Sequence, residues 1–361
     1  MFGVSAPLAK DLLGDVRPQL LAGLLYGGAA VALSGAMTLR RNSPEAGLRR
    51  GDALTMAVVT VTGGVVAPVL LLIGLDRVSG VAGSLLLNLE AVATMALALL
   101  VFGEHLGRRG VLGAAAVVAA SALLGVYGSG GSSPRVEWLG IACIAGACLC
   151  WAIDNNLTQR LSDRDPFAIV RVKASVAGVV NLALAVGLGA SRPPVQVLVA
   201  AVVLGGAAFG LSVVLDAYAL RWVGAAREAA YFGTAPLFGV ATAVVVLNEV
   251  VTVADAVSIV IMGVGIYLLI TERHAHPHRH VPIHHDHRHR HDDGHHDHGH
   301  DGPDGEHSHG HGHETTSHAH AHVSDVHHRH AHGTDPSGEA PGGSGVEVDG
   351  GGHERSPREP G

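Results

Sequence analysis

The feature that most constrains this chain is a set of apolar stretches too long and too uniform to be one face of a soluble helix. Leu54–Leu75, Val78–Gly103 and Val195–Leu220 are overwhelmingly apolar, and each is at least 20 residues long. A helix needs roughly 20 such residues to cross ~30 Å of hydrocarbon. A soluble helix of that length would show polar residues every few positions, and these stretches do not. The backbone inside a bilayer must satisfy its own hydrogen bonds, and strand alternation is missing, so the expectation is an all-α integral membrane fold. Abundant Gly and Ala with 4% aromatic residues suits membrane helices that pack through small side chains.

Polar punctuation divides the apolar sequence into nine segments, roughly 18–39, 52–75, 79–103, 110–128, 136–154, 167–189, 194–220, 224–247 and 252–271. The breaks carry turn residues, as in Arg40-Arg41-Asn42-Ser43-Pro44, Gly128–Pro134 and Ser191–Pro194. No secretory signal stands at the start, because residues 1–17 place Lys10, Asp11 and Asp15 where an apolar stretch would lie. With the C-terminus in the cytoplasm, inner loops hold Arg40, Arg41, Arg49, Arg50, Arg108, Arg109, Arg160, Arg164 and Arg221. Outer loops hold Arg17, Arg77, Arg135 and Arg192. The positive-inside rule then favours a multi-pass protein of the bacterial inner membrane with a cytoplasmic tail.

An internal repeat underlies the segments. Leu75–Leu106 aligns without a gap on Leu220–Val251 at an offset of 145, placing Val78 on Val223 and Glu104 on Glu249. In each copy another apolar helix follows the acidic residue, so a five-helix unit is used twice. An odd number of spans inverts the second copy. The helix end Val101-Phe102-Gly103-Glu104, its second copy Leu247-Asn248-Glu249, and Thr234-Ala235-Pro236 with a mid-helix proline resemble the EamA family of the drug/metabolite transporter superfamily. In copy one Ala91 takes that proline's place. The resemblance covers residues 2 to about 273 and implies ten helices in two inverted repeats, over 1–128 and 136–273, followed by a tail, 274–361. The tail from Thr271-Glu272-Arg273-His274 resembles a subgroup of these carriers with histidine-rich C-termini. The first helix is cut short at Met1–Leu13. Trp151-Ala152 resembles Phe2-Gly3 but has 13 apolar residues (Trp138–Cys150) ahead of it, so the expectation is that a similar stretch precedes Met1 in frame.

Ionisable residues at membrane depth are costly, which makes each a candidate. Glu90 lies centrally in 79–103 with Asn88 two residues before it. Asp216 lies in the inner third of 194–220, Asp154 and Asn155 close 136–154, and Arg171 and Lys173 enter 167–189. Glu90 either pairs with Lys173 or Arg171 or serves proton coupling and substrate contact. Arg171, Lys173 and Arg227 are expected to snorkel to the surface, and Glu104 and Glu249 to shape turns. Substrate or coupling candidates are therefore Glu90, Asn88, Asp216, Lys173 and Asp154. Cys143 and Cys150 share a helix face that Cys148 does not, which reads as packing rather than a thiolate site.

The tail obeys different rules. Residues 1–273 carry 18 Lys+Arg against 16 Asp+Glu, whereas 274–361 carry 6 against 15. Of 26 histidines, 25 lie in the tail, 24 of them within 274–332. Metal ligation is expected from His274, His276, His278, His280, His284, His285, His287, His289 and His291. The series continues through His295, His296, His298, His300, His307, His309, His311 and His313. Imidazole suits Zn²⁺, Ni²⁺, Co²⁺ and Cu²⁺, and a tail with almost nothing to form a core is expected to be disordered without metal.

The leading expectation is a secondary transporter of a small organic metabolite, with proton coupling open and a metal-binding cytoplasmic tail. The body's single histidine is His105, near the surface, which places a divalent-metal (Ni, Co, Zn) transporter second. A membrane-anchored metal sensor or reservoir is the alternative of another class. No cofactor is required, no nucleophile or zinc-protease motif indicates an enzyme, and nucleic acid is not an expected partner. The expected partners are the bilayer, a small solute and metal ions, and a homodimer is compatible with the sequence.

Overall fold

A computed structural model of the chain describes residues 1–39, 45–102, 108–127, 134–161 and 164–271, together with the tail segments 275–279, 283–289, 307–313 and 317–321. Ten helix positions form two halves. The first holds α1 (Phe2–Leu12), α2 (Pro18–Leu39), α3 (Ala53–Val59), α4 (Ala67–Leu75), α5 (Gly80–Leu86), α6 (Leu89–Phe102) and α7 (Arg108–Tyr127). The second holds α8 (Pro134–Arg160), α9 (Pro166–Gly187), α10 (Val195–Leu204), α11 (Ser212–Phe232), α12 (Ala235–Val246) and α13 (Val253–Ile270). Among the described residues, seven helical stretches are long and apolar enough to cross a membrane, and the shorter apolar α12 adds to them. Large apolar side chains such as Val31, Val179, Val203, Phe238 and Val260 are exposed, as expected of surfaces solvated by lipid.

The 145-residue register continues into the backbone. A π-helical turn, Thr60–Val66, joins α3 to α4, and a second, Gly205–Leu211, joins α10 to α11; both ends are displaced by the same 145. The fourth position of each half is broken, at Leu87–Asn88 between α5 and α6 and at Gly233–Thr234 between α11 and α12. Pro236 explains the second break, since proline suits a helix's first turn and stops what precedes it. The first break forms without proline: the Asn88 and Glu90 amides bond three residues back, to Leu85 O and Leu87 O at 3.1 and 3.0 Å.

Helical backbone runs through Ser212–Phe232, yet α11 is not one straight rod. Asp216 and Glu228 would stand about 18 Å apart at ~1.5 Å per residue, but their carboxyls are hydrogen-bonded. Phe209 and Phe232 both pack on Phe2. The chain therefore reverses between these residues, where the sequence places the turn between 194–220 and 224–247. The boundary at 154 needs correction, because α8 continues to Arg160 and Asp154 sits inside it. Thr158, one turn on, bonds to Asp154 rather than ending the helix.

Helix pairings survive exchange of the halves. α2 packs on α9 and α7 on α13, each on its own counterpart; α1 meets α12 as α8 meets α6; and each π turn lies against the second helix of the other half. This is the two-half, inverted-repeat arrangement, with 11 residues in α1 against 27 in α8. Close approach at α7–α13 depends on facing glycines: a Cβ on Gly113 would lie 2.7 Å from Gly265 O, and one on Gly265 2.8 Å from Gly113 O.

Both ends of the bundle are tied across the halves. At one, Asn248 takes φ 51, the left-handed conformation that turns a chain off a helix end, and this carries Glu249 to α5. Its two carboxylate oxygens accept from Gly80 N (2.7 Å) and Val81 N (2.8 Å), orphan amides at a positive helix end. Lys10 Nζ closes the end of α4 by donating to Leu75 O and Val78 O, each at 2.7 Å. At the other end Arg164 pairs with Asp52 at 2.8 Å and Arg221 with Glu45 at 3.0 Å.

In the tail, β1 (Ala275–Arg279) pairs antiparallel with β4 (Ser317–Ala321), and β2 (Ile283–His289) with β3 (His307–His313). Two-stranded pairs of this polar composition are marginal in water.

Candidate substrate cavity

Where the broken helices meet, the two halves leave a partly open cavity with about 30 Å³ of space for the centres of water molecules. It is lined by Phe2 of α1, Tyr26 of α2, Glu90 of α6, Trp151, Asp154 and Asn155 of α8, and Lys173 of α9. Phe209, Ser212, Val213, Asp216 and Phe232 complete it from the second half's π turn and α11.

The first π turn builds one wall. Its register gives the Ala67 amide to Thr62 O, and the next residue, Pro68, has no N–H. Gly63 O is thus left without a helical donor. Tyr26 Oη donates to it at 2.7 Å and Trp151 Nε1 at 3.0 Å. Both aromatic side chains turn their polar tips to one backbone oxygen and keep their ring surfaces for the cavity. Phe2 completes this wall, edge-on to Trp151 at 5.7 Å, 5.9 Å from Phe209 and 5.0 Å from Phe232 between centroids. Gly63 must also lack a Cβ, which would collide with the Asp154 carboxylate.

The charged wall is unevenly satisfied. Lys173 Nζ donates to Asp154 Oδ2 at 2.7 Å, and Thr158 Oγ1 to Asp154 Oδ1 at 3.2 Å. The Asp216 and Glu228 carboxyls bond to each other, a contact that needs a proton on one of them to supply the donor. Glu90 is 6% exposed. Its Oε1 accepts from Asn155 Nδ2 at 3.0 Å, while Oε2 has no hydrogen-bond partner among the described residues. Glu90 stands in the first turn of α6.

Four of the five sequence candidates, Glu90, Asp154, Lys173 and Asp216, line this cavity. Asn88 does not; it is buried at the α5–α6 break, with Nδ2 directed at Met262 Sδ (3.4 Å). Lys173 does not snorkel, because its partner Asp154 lies within the bundle and holds it at 5% exposure. Neither pairing imagined for Glu90 forms: Lys173 is taken by Asp154, and the Glu90 contact is Asn155. Glu249 shapes a turn and also caps α5. Glu104 and His105, the side chain of Arg227, and the histidine side chains of the tail lie outside the described residues. Cys143, Cys148 and Cys150 are free thiols; Cys148 is buried beside the carbonyls of Leu86 and Leu87.

The EamA-like transporter pattern matches residues 1–126 and, a second time, 138–271. The chain belongs to the EamA-like transporter family. It is 29% identical over 282 residues to an uncharacterized transporter of Methanothermobacter thermautotrophicus, a match covering 74% of this chain and 82% of that one. A solved crystal structure superposes with a TM-score of 0.58 at 18% identity, over 74% of this chain and 94% of the other, which shows the shared fold. This EamA-like protein is thus a multi-span membrane transporter. The aromatic wall escaped the sequence reading of it, because its members come from α1, α2, α8, the second π turn and α11 and share no local motif.

Proposed function

We propose that the protein is a secondary carrier that moves a small organic solute by alternating access to the central cavity. The observation that carries this reading is Glu90, a buried carboxyl with one oxygen unpartnered among the described residues, in a cavity at the meeting of two broken helices. Irregular backbone at such depth is tolerated where it lines a solute path, and inverted repeats place binding sites at their interface. The halves, 1–128 and 136–273, rock about the α2–α9 and α7–α13 contacts. Opening one end breaks the Glu249 cap on α5, and opening the other separates Arg164 from Asp52 and Arg221 from Glu45. Glu90 supplies coupling by holding a proton or the solute, so the two leave and enter in exchange. The membrane is a bacterial inner membrane with the tail, 274–361, on the cytoplasmic side.

A divalent-metal carrier fits less well. A metal ion asks for several oxygen or nitrogen donors at once, and of the lining carboxyls Asp154 is engaged by Lys173 and Asp216 by Glu228. The tail is where metal belongs in this reading. What supports this is its histidine density and a backbone register that sets His285, His287 and His289 opposite His311, His309 and His307. Tethered beside the carrier's mouth, such a segment makes transport responsive to Zn²⁺, Ni²⁺, Co²⁺ or Cu²⁺ without lying on the path.

The test uses full-length protein in liposomes carrying an internal pH dye, supplied with pooled small metabolites under an imposed pH gradient. Solute-dependent proton movement is expected from the wild type and not from Glu90→Gln, inserted to the same level. Proton movement unchanged in that variant would remove Glu90 from the coupling step.

A further inference from the structure

We infer that the cavity selects a small organic cation, one with an alkylated ammonium head. This deepens the carrier reading and rests on it for the cavity's accessibility. The first observation is where the aromatic residues go. The chain has 14 Phe, Trp and Tyr in 361 residues, and five of them, Phe2, Tyr26, Trp151, Phe209 and Phe232, converge on this one cavity. They come from both halves and touch in a continuous set, with Tyr26 5.4 Å from Phe209 and Phe2 in contact with the other three.

The second observation is how their polar ends are used. Tyr26 Oη and Trp151 Nε1 are both spent on Gly63 O, so the wall offers ring surface rather than hydrogen bonds. Ring faces carry negative electrostatic potential and attract cations, most effectively when water is excluded. A polyol or sugar would leave its hydroxyls unmatched against such a wall.

The third observation is the carboxyl left without a partner. Glu90 is more than nine-tenths buried, and its Oε2 faces no donor among the described residues. The cavity's ammonium, Lys173, is neutralised by Asp154 at 2.7 Å and offers no free positive charge to an anion. A cation whose methyl groups lie on the rings, with its charge within reach of Glu90, satisfies both walls at once. It also needs no more donors than the cavity's acceptors can meet.

Three solutes of one shape separate the possibilities: choline, the neutral 3,3-dimethylbutan-1-ol and the anionic 3,3-dimethylbutanoate. Binding to purified full-length protein is read by titration calorimetry. Choline is expected to bind roughly tenfold or more tightly than the neutral isostere, a ratio within the range of desolvated cation–π and charge contacts. Glu90→Gln should abolish that preference. Phe232→Leu should weaken choline while leaving the neutral compound unchanged, which guards against misfolding as the cause. Equal or tighter binding of the neutral or anionic compound, or binding of none of the three, overturns the inference. The carrier reading is judged separately, by solute exchange in liposomes. A choline site that depends on Glu90 in a protein that exchanges no solute would keep the cation site and sink the carrier. Exchange of anionic or neutral solutes alone would do the reverse.

Discussion

At the scale of single residues the cavity rests on a buried ion pair and a glycine. Removing one partner of a buried pair strands a charge, at a cost of about 3–5 kcal/mol, whereas removing both is often neutral. Lys173→Met should therefore lower thermal stability markedly, and Asp154→Asn combined with Lys173→Met should restore most of it. A double variant as unstable as the single one would contradict the pairing. Gly63→Ala should also destabilise, because a methyl group there meets the Asp154 carboxylate. The acidic and basic members of this site were legible in the sequence, since charge in an apolar run stands out. The pairing was not: Asp154 and Lys173 lie on different helices, and only packing decides whether Lys173 reaches Asp154, Glu90 or the surface. Asn88 shows the same limit, since its two-residue spacing from Glu90 spans a helix break and sends the two side chains apart.

At the scale of elements the decisive features are breaks. The 145-residue register was readable from Leu75–Leu106 and Leu220–Val251, and it extends to both π turns, which no residue pattern announced. Gly63 and Gly64 have no glycine counterparts at the corresponding positions, Ala208 and Phe209, so the turns are conserved in backbone and not in composition. Pro236 marked one half-helix break, while its partner at Leu87–Asn88 lacked that mark. Across the tied end, the Glu249 carboxylate accepts from two amides of α5, and hydrogen bonds to charged groups are worth about 1.5–3 kcal/mol each. Glu249→Ala should therefore speed hydrogen exchange at Gly80 and Val81 at least several-fold, with α13 amides unaffected. Unchanged protection at those two amides would show that the cap does not hold this end closed.

At the scale of the whole molecule the carrier reading makes the tail dispensable for the transport step. Truncation after Arg273 should leave the basal transport rate intact and abolish its response to added Zn²⁺ or Ni²⁺. In the full chain, metal binding should weaken as pH falls, because protonated imidazoles cannot ligate. Loss of transport on truncation, with insertion intact, would instead place the tail on the solute path. The membrane architecture was plain from apolar length alone, and the tail from its histidines. The cavity was hidden because it exists only where both halves contribute walls. Alternating access requires that this one cavity be reached from both sides in turn. Ser212 lines it without engaging the charged groups, so Ser212→Cys, with the three native cysteines changed to alanine, reports its accessibility. A membrane-impermeant methanethiosulfonate should modify that thiol when added to either face of sealed vesicles. Modification from one face alone, whatever the solute gradient, would contradict alternating access.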